Sequence, residues 1–200
     1  GSPAAIAGQL NGEIAIAHAW QLFRFSRIGV IGEPSDWLVA SDVDRPFLKG
    51  RLSIEVVEIE IDEFIRRARA QGGTKRILSS LVRKATQTVE PTADDLRGAA
   101  GIYKALRAIV DEHRLAACTL RCFDLVQKIE NTGCYALSRL NDEGVPAGCE
   151  GDLQSLLTLY LGFLLTGQTA FMGNVASVDE DERTIEIAHC SCPLSMTTAY

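Results

Sequence analysis

No stretch restricts the fold more than residues 145–165, VPAGCEGDLQSLLTLYLGFLL, where a short apolar run meets a Cys149-Glu150-Gly151-Asp152 turn and a long apolar helical pattern follows. A buried strand that turns at once into a buried helix is the repeating unit of parallel α/β architecture. The turn also delivers two carboxylates to a helix start, where free backbone N–H groups and the positive end of the macrodipole favour anions. In open parallel sheets, ligands bind just beyond the carboxyl ends of strands. Two readings follow: Asp152 caps the helix and Glu150 merely favours its dipole, or the turn belongs to a ligand site.

A second stretch favours the site. Residues 169–193, TAFMGNVASVDEDERTIEIAHCSCP, read as two strands around an acidic turn, the second ending at His189. A carboxylate after one strand and an imidazole after another are the ligand types of an open divalent-metal centre.

The rest of the chain supplies the sheet. Apolar residues spaced through 3–23 predict a helix, and RIGVIG at 27–32 predicts a buried strand. The loop after it, 33–37, shares an edge with Glu150 if the strands are parallel; Trp37 then walls a ligand crevice or packs in the core. Pro46 restricts any helix in 42–51 to its first turn. Residues 54–61 and 115–122 read as strands, and 62–70, 75–85 and 92–113 as helices, the last opened by Thr92 with Asp94 and Asp95. Further helices run to residue 141. The expected fold class is α/β: a parallel sheet flanked by helices, a Rossmann-like domain over residues 1–168, then the first strands of an incomplete β-rich domain over 169–200. Both ends read as cut, with Gly1-Ser2 resembling an expression scar.

A net charge of −6 argues against nucleic acid as a partner. The one basic cluster (Arg66, Arg67, Arg69, Lys75, Arg76, Arg83, Lys84) reads as a solvated or subunit-facing helix surface. No basic leader precedes an apolar core, and the longest apolar run, 156–165, is too short to span a bilayer, so the expected location is cytoplasmic, with no membrane partner. The six cysteines form no common zinc or disulfide spacing and read mostly as small buried hydrophobes. Cys149 and Cys190 flank Glu150 and His189, which leaves open a cysteine site built on Cys149, Cys190, Cys192 and His189. His18 and His113 read as ordinary helix residues.

With Cys149-Glu150-Gly151-Asp152 before a long helix, Phe171-Met172, and Ile187-Ala188-His189 at the following strands, the chain resembles the L-arabinose isomerase and L-fucose isomerase superfamily. Residues 119–125 and 28–37 are similar to the upstream strand and the binding loop of that family. The resemblance implies an oligomeric, three-domain aldose–ketose isomerase with a divalent metal, commonly manganese, between central and C-terminal domains. It assigns Glu150 as catalytic acid/base and metal ligand, and His189 as metal ligand. Gly173-Asn174 replaces a second acidic ligand, so Asn174 offers a neutral oxygen to metal or substrate. Cys122 stands where arabinose isomerases place an aromatic, and Arg121 beside it suits an anionic or highly hydroxylated sugar; with Trp37 these complete the expected substrate pocket. The alternative is a relative that binds a sugar or sugar derivative without chemistry.

Overall fold

The computed structural model describes residues 2–39, 41, 43–71, 77, 79, 82, 83 and 85–197. Most of the helix expected over 75–85 lies outside them. Four strands, β1 (Arg27–Ile31), β2 (Glu55–Ile59), β3 (Ala117–Leu120) and β4 (Ala147–Cys149), form one sheet in the order β2-β1-β3-β4. Every neighbouring pair is parallel. The central strands β1 and β3 are almost wholly buried, whereas the edge strand β2 is partly exposed, as its alternating glutamates require.

Helices cover both faces. On one side α3 (Ile61–Gln71), α4 (Ala93–His113), α5 (Cys122–Ile129) and α6 (Cys134–Asp142) close over a core that includes Phe64, Leu106, Ile109, Leu120, Leu137 and Leu140. On the other, the end of α1 (Pro3–Phe23) and α7 (Leu153–Thr166) pack Phe23, Leu153, Leu156 and Tyr160 against Ile28 and Val30. The Tyr160 hydroxyl donates to the Leu22 carbonyl at 3.1 Å, satisfying its polar tip at that junction. The expected α/β class is therefore present.

Local chemistry sets the boundaries. Thr92 and Asp95 form a reciprocal capping box at the start of α4, and its two hydrogen bonds hold the Asp95 carboxyl below the usual carboxylate range. Pro46 occupies the first turn of a three-residue helix, α2 (Arg45–Phe47), which continues as a π turn, Leu48–Leu52. The strand expected over 115–122 shortens to Ala117–Leu120. At one end the Leu115 N–H still bonds the Val110 carbonyl of α4, and at the other Cys122 already opens α5. Buried Asn141 locks the entry to β4: its amide donates to the Leu137 and Ala147 carbonyls, and its oxygen accepts from the Ala147 N–H. Beyond α7, β5 (Asn174–Asp179) and β6 (Thr184–Ala188) form an antiparallel hairpin whose residues are all exposed. No described helix is long and apolar enough to cross a membrane.

The register decides where chemistry gathers. Ile31 pairs with Ile59 and Leu120, and Leu120 with Cys149, so all four strands end on one edge. The next residues, Gly32, Glu60, Arg121 and Glu150, emerge there together.

Candidate metal and sugar site

Glu150 leaves β4 in the left-handed region, at φ 64°, a conformation that strains a residue with a side chain. Gly151 follows at φ 71°, and only a glycine fits: a Cβ there would meet the Glu33 carbonyl oxygen at 2.6 Å. This close approach lets the Ser35 N–H donate to the Glu150 carbonyl at 2.9 Å. The two loops are thereby stitched, and the Trp37 indole N–H reaches Glu150 Oε2 at 3.2 Å. Trp37 also stands edge-on to Phe123, ring centres 5.0 Å apart. Its ring is exposed and not packed in the core, and its contacts are with Glu150 and Phe123.

Glu150 and Asp152 part company. Asp152 is the N-cap of α7, accepting from the Ser155 N–H at 2.9 Å and the Ser155 hydroxyl at 2.7 Å. Glu150 is left for other work. Donor atoms of Cys149, Glu150 and His189 lie within 4.8 Å of one another, in the one group of three or more such ligands found among the described residues. Cys149 is buried and the other two are partly exposed. Carboxylate, imidazole and thiol together can hold a divalent cation, and the sulfur shifts the preference from manganese towards zinc, cobalt or iron(II).

His189 has a hydrogen-bonded neighbour absent from the expected site. Nδ1 accepts from the Ser191 N–H at 3.2 Å and lies 2.8 Å from the Ser191 hydroxyl. In the neutral ring the proton therefore sits on Nε2. A cation at Nε2 would need that proton on Nδ1 instead, where the Ser191 hydroxyl could accept it at the cost of the bond from the Ser191 N–H. Nothing in the sequence marked Ser191, because its role depends on the tight turn after β6.

A cavity of about 260 Å³ opens beside the cluster, lined by Cys122, Phe123, Val126, Thr132, Cys134, Cys149, Glu150, Asn174, His189 and Cys190. Four expected residues, Cys122, Glu150, Asn174 and His189, thus share one cavity, and Trp37 touches it through Glu150. Arg121 stands behind. Its guanidinium donates to Asp124 at 2.7 Å, to the Pro34 carbonyl at 2.9 Å and to Asp36 at 3.3 Å, which holds the 33–37 loop in place. A Cβ on Gly32 would come within 2.9 Å of the Arg121 Cβ, so that approach also depends on a glycine. Neither His18 nor His113 lines the cavity.

The thiols divide by environment. Burial pushes Cys118 up to about 12, and contact with Cys149 together with burial raises Cys122. Cys134, at the first turn of α6, has its Sγ 3.0 Å from that of Cys190. The hydrogen bond shared with Cys190 draws the Cys134 thiol down to about 6, and the same contact raises Cys190. Cys118, Cys122 and Cys149 are buried as expected, but Cys190 is exposed and Cys134 and Cys192 are partly so. Cys192 stays outside the cavity lining.

No family model matches the chain. It is 36% identical over 90 residues, 44% of the chain and 20% of the relative, to the sulfoquinovose isomerase of Clostridium sp. (strain MSTE9). Over 167 residues, 82% of the chain and 38% of the relative, it is 26% identical to the sulfoquinovose isomerase of Alkalicoccus urumqiensis. A third relative of that name, from Priestia megaterium, is 20% identical over 168 residues, 82% of the chain and 37% of its own length. The chain thus spans less than two fifths of the curated relatives it matches.

Proposed function

We propose that this chain forms part of the active site of a metal-dependent aldose–ketose isomerase of the L-arabinose/L-fucose isomerase type, acting on a sugar that carries a sulfonate. The observation that carries the reading is the meeting of Cys149, Glu150 and His189, from two separate segments, at the carboxyl edge of the sheet. Three relatives named for isomerisation of a sulfo-sugar support the same class.

Cys149, Glu150 and His189 would hold a divalent cation, with Asn174 offering an amide oxygen from the cavity wall. Such a cation supplies charge stabilisation for the oxygens of an enediolate. Glu150 does the proton work. Trp37 holds Oε2, leaving Oε1 free to take the proton from C2 of the open-chain aldose. The C2–H electrons become the C1–C2 double bond while the carbonyl oxygen gains a proton. Return of a proton to C1, with loss of the O2 proton, gives the ketose.

The sulfonate falls to Arg121. Two of its bonds go to partners fixed in the fold, but among the described residues Nη2 bonds Asp36, whose side chain is 85% exposed. An exposed ion pair is worth little, so a sulfonate can replace it. Exposed apolar residues on α1, including Ile6, Leu10, Ile14 and Trp20, support self-association of the full-length protein. Exposed Val175, Val178, Ile185 and Ile187 support a longer β-rich domain continuing from the hairpin.

The test is isomerisation of sulfoquinovose by the full-length protein in D₂O. Deuterium should enter the product through proton exchange, and Glu150→Gln should abolish both turnover and exchange while the protein stays folded. Full activity of Glu150→Gln would sink the assignment. Chelation that stops turnover but leaves sugar binding intact would fit the proposal; binding with no turnover in any metal would favour the non-catalytic relative, to which the neutral Asn174 lends support.

A further inference from the structure

We infer that Cys134 and Cys190 form a reversible redox site, a dithiol that thiol–disulfide exchange closes into a bridge between the start of α6 and the segment bearing His189. The inference stands on the pair's own geometry and does not rest on the isomerase reading.

Their sulfurs are 3.0 Å apart although 56 residues separate them in sequence. A disulfide needs about 2.05 Å, so an approach of roughly 1 Å closes the bond. The pair borders the cation cluster without belonging to it: Cys190 Sγ lies 3.8 Å from His189 Nδ1, while the set of three close ligands among the described residues is Cys149, Glu150 and His189. The two sulfurs are closer to each other than Cys190 Sγ is to that imidazole, so the facing thiols have dithiol chemistry open to them. Access is adequate, since Cys190 is exposed and Cys134 lines the cavity. The other cavity thiols, Cys122 and Cys149, are buried and shielded from a dissolved oxidant.

The co-reactant is a low-molecular-weight disulfide such as oxidised glutathione. The Cys134 thiolate at the N-terminus of α6 attacks one sulfur, releasing the first glutathione thiolate and leaving a mixed disulfide. Cys190 then attacks the Cys134 sulfur and expels the second. The two protons of the dithiol pass to the leaving thiolates. In total two cysteine thiols and one glutathione disulfide give one protein disulfide and two reduced glutathiones, a two-electron exchange. The bond would tether the residue next to His189 to α6 and narrow the cavity that both thiols line.

Equilibration of the full-length protein with graded mixtures of oxidised and reduced glutathione, followed by acid quench, alkylation and peptide mass spectrometry, tests this. The expected result is a cross-linked peptide containing Cys134 and Cys190 that disappears on reduction, with Cys118 alkylated only after unfolding. In Cys190→Ser the second step is blocked, and Cys134 should accumulate instead as its glutathione adduct. Separate alkylation of both thiols after oxidation, or a bridge from Cys134 to Cys122, would overturn the proposal. Because Cys190→Ser removes no proposed cation ligand and the readout is covalent, the outcome is independent of turnover.

Discussion

The residue to which the proposed chemistry is assigned sits in a strained conformation. Glu150 adopts a left-handed backbone that a glycine would accept freely, and it is held there by Ser35 and Trp37. Such strain persists where the surrounding structure enforces it, and it keeps a carboxylate where a glycine would be the easier choice. Gly151 is the enforcing neighbour. Gly151→Ala should push the 33–37 loop away, cost about 1–3 kcal/mol in stability and weaken cation binding, read by thermal unfolding and by titration; unchanged binding would show the stitching to be irrelevant to the site. Ser191 acts through His189. Ser191→Ala should lower cation affinity by about 10- to 100-fold, as loss of an outer hydrogen bond to a ligating histidine does, while Ser191→Thr retains most of it. Equal affinity in all three proteins would remove Ser191 from the account.

At the scale of the element, the strand–turn–helix unit of β4 and α7 separates two acidic residues into two jobs. Asp152→Ala should destabilise the protein by about 1 kcal/mol through loss of the cap, and Asp152→Asn should be nearly neutral. Neither should change cation binding; a loss in both would make Asp152 a ligand after all. The elements with a strong local signal were legible in the sequence: the Thr92 capping box, the apolar run of α7, the Pro46 restriction and the buried strands β1 and β3. Strand ends were less so, because Leu115 continues the hydrogen bonding of α4 and Cys122 begins α5, both decided by backbone partners that residue type does not reveal. Glu150 and His189 were visible as residue types at the ends of strands. The approach of Cys134 to Cys190, and of Ser191 to His189, was not, since it depends on how the segment after β6 lies across α6 and folds back on itself.

The whole molecule shows one filled sheet with two unfinished surfaces. Its parallel sheet is covered on both faces, yet α1 presents Ile6, Leu10, Ile14, Ile16, Trp20 and Leu22 to solvent, and the hairpin presents apolar residues along both strands. Exposed apolar area of this kind is what the proposed contact with other protein requires. Ile14→Glu in the full-length protein should therefore shift the sedimenting species to a smaller size without altering cation affinity. An unchanged oligomer would show that α1 plays no part in assembly.

The central claim is that Cys149, Glu150 and His189 form one divalent-metal centre, and metal content tests it most directly. Elemental analysis and calorimetric titration with manganese and zinc should be performed on the full-length protein beside Glu150→Ala and His189→Ala. The account predicts one tightly bound cation per chain in the wild type, lost in both variants. No bound cation in the wild type, or undiminished binding in either variant, would contradict it.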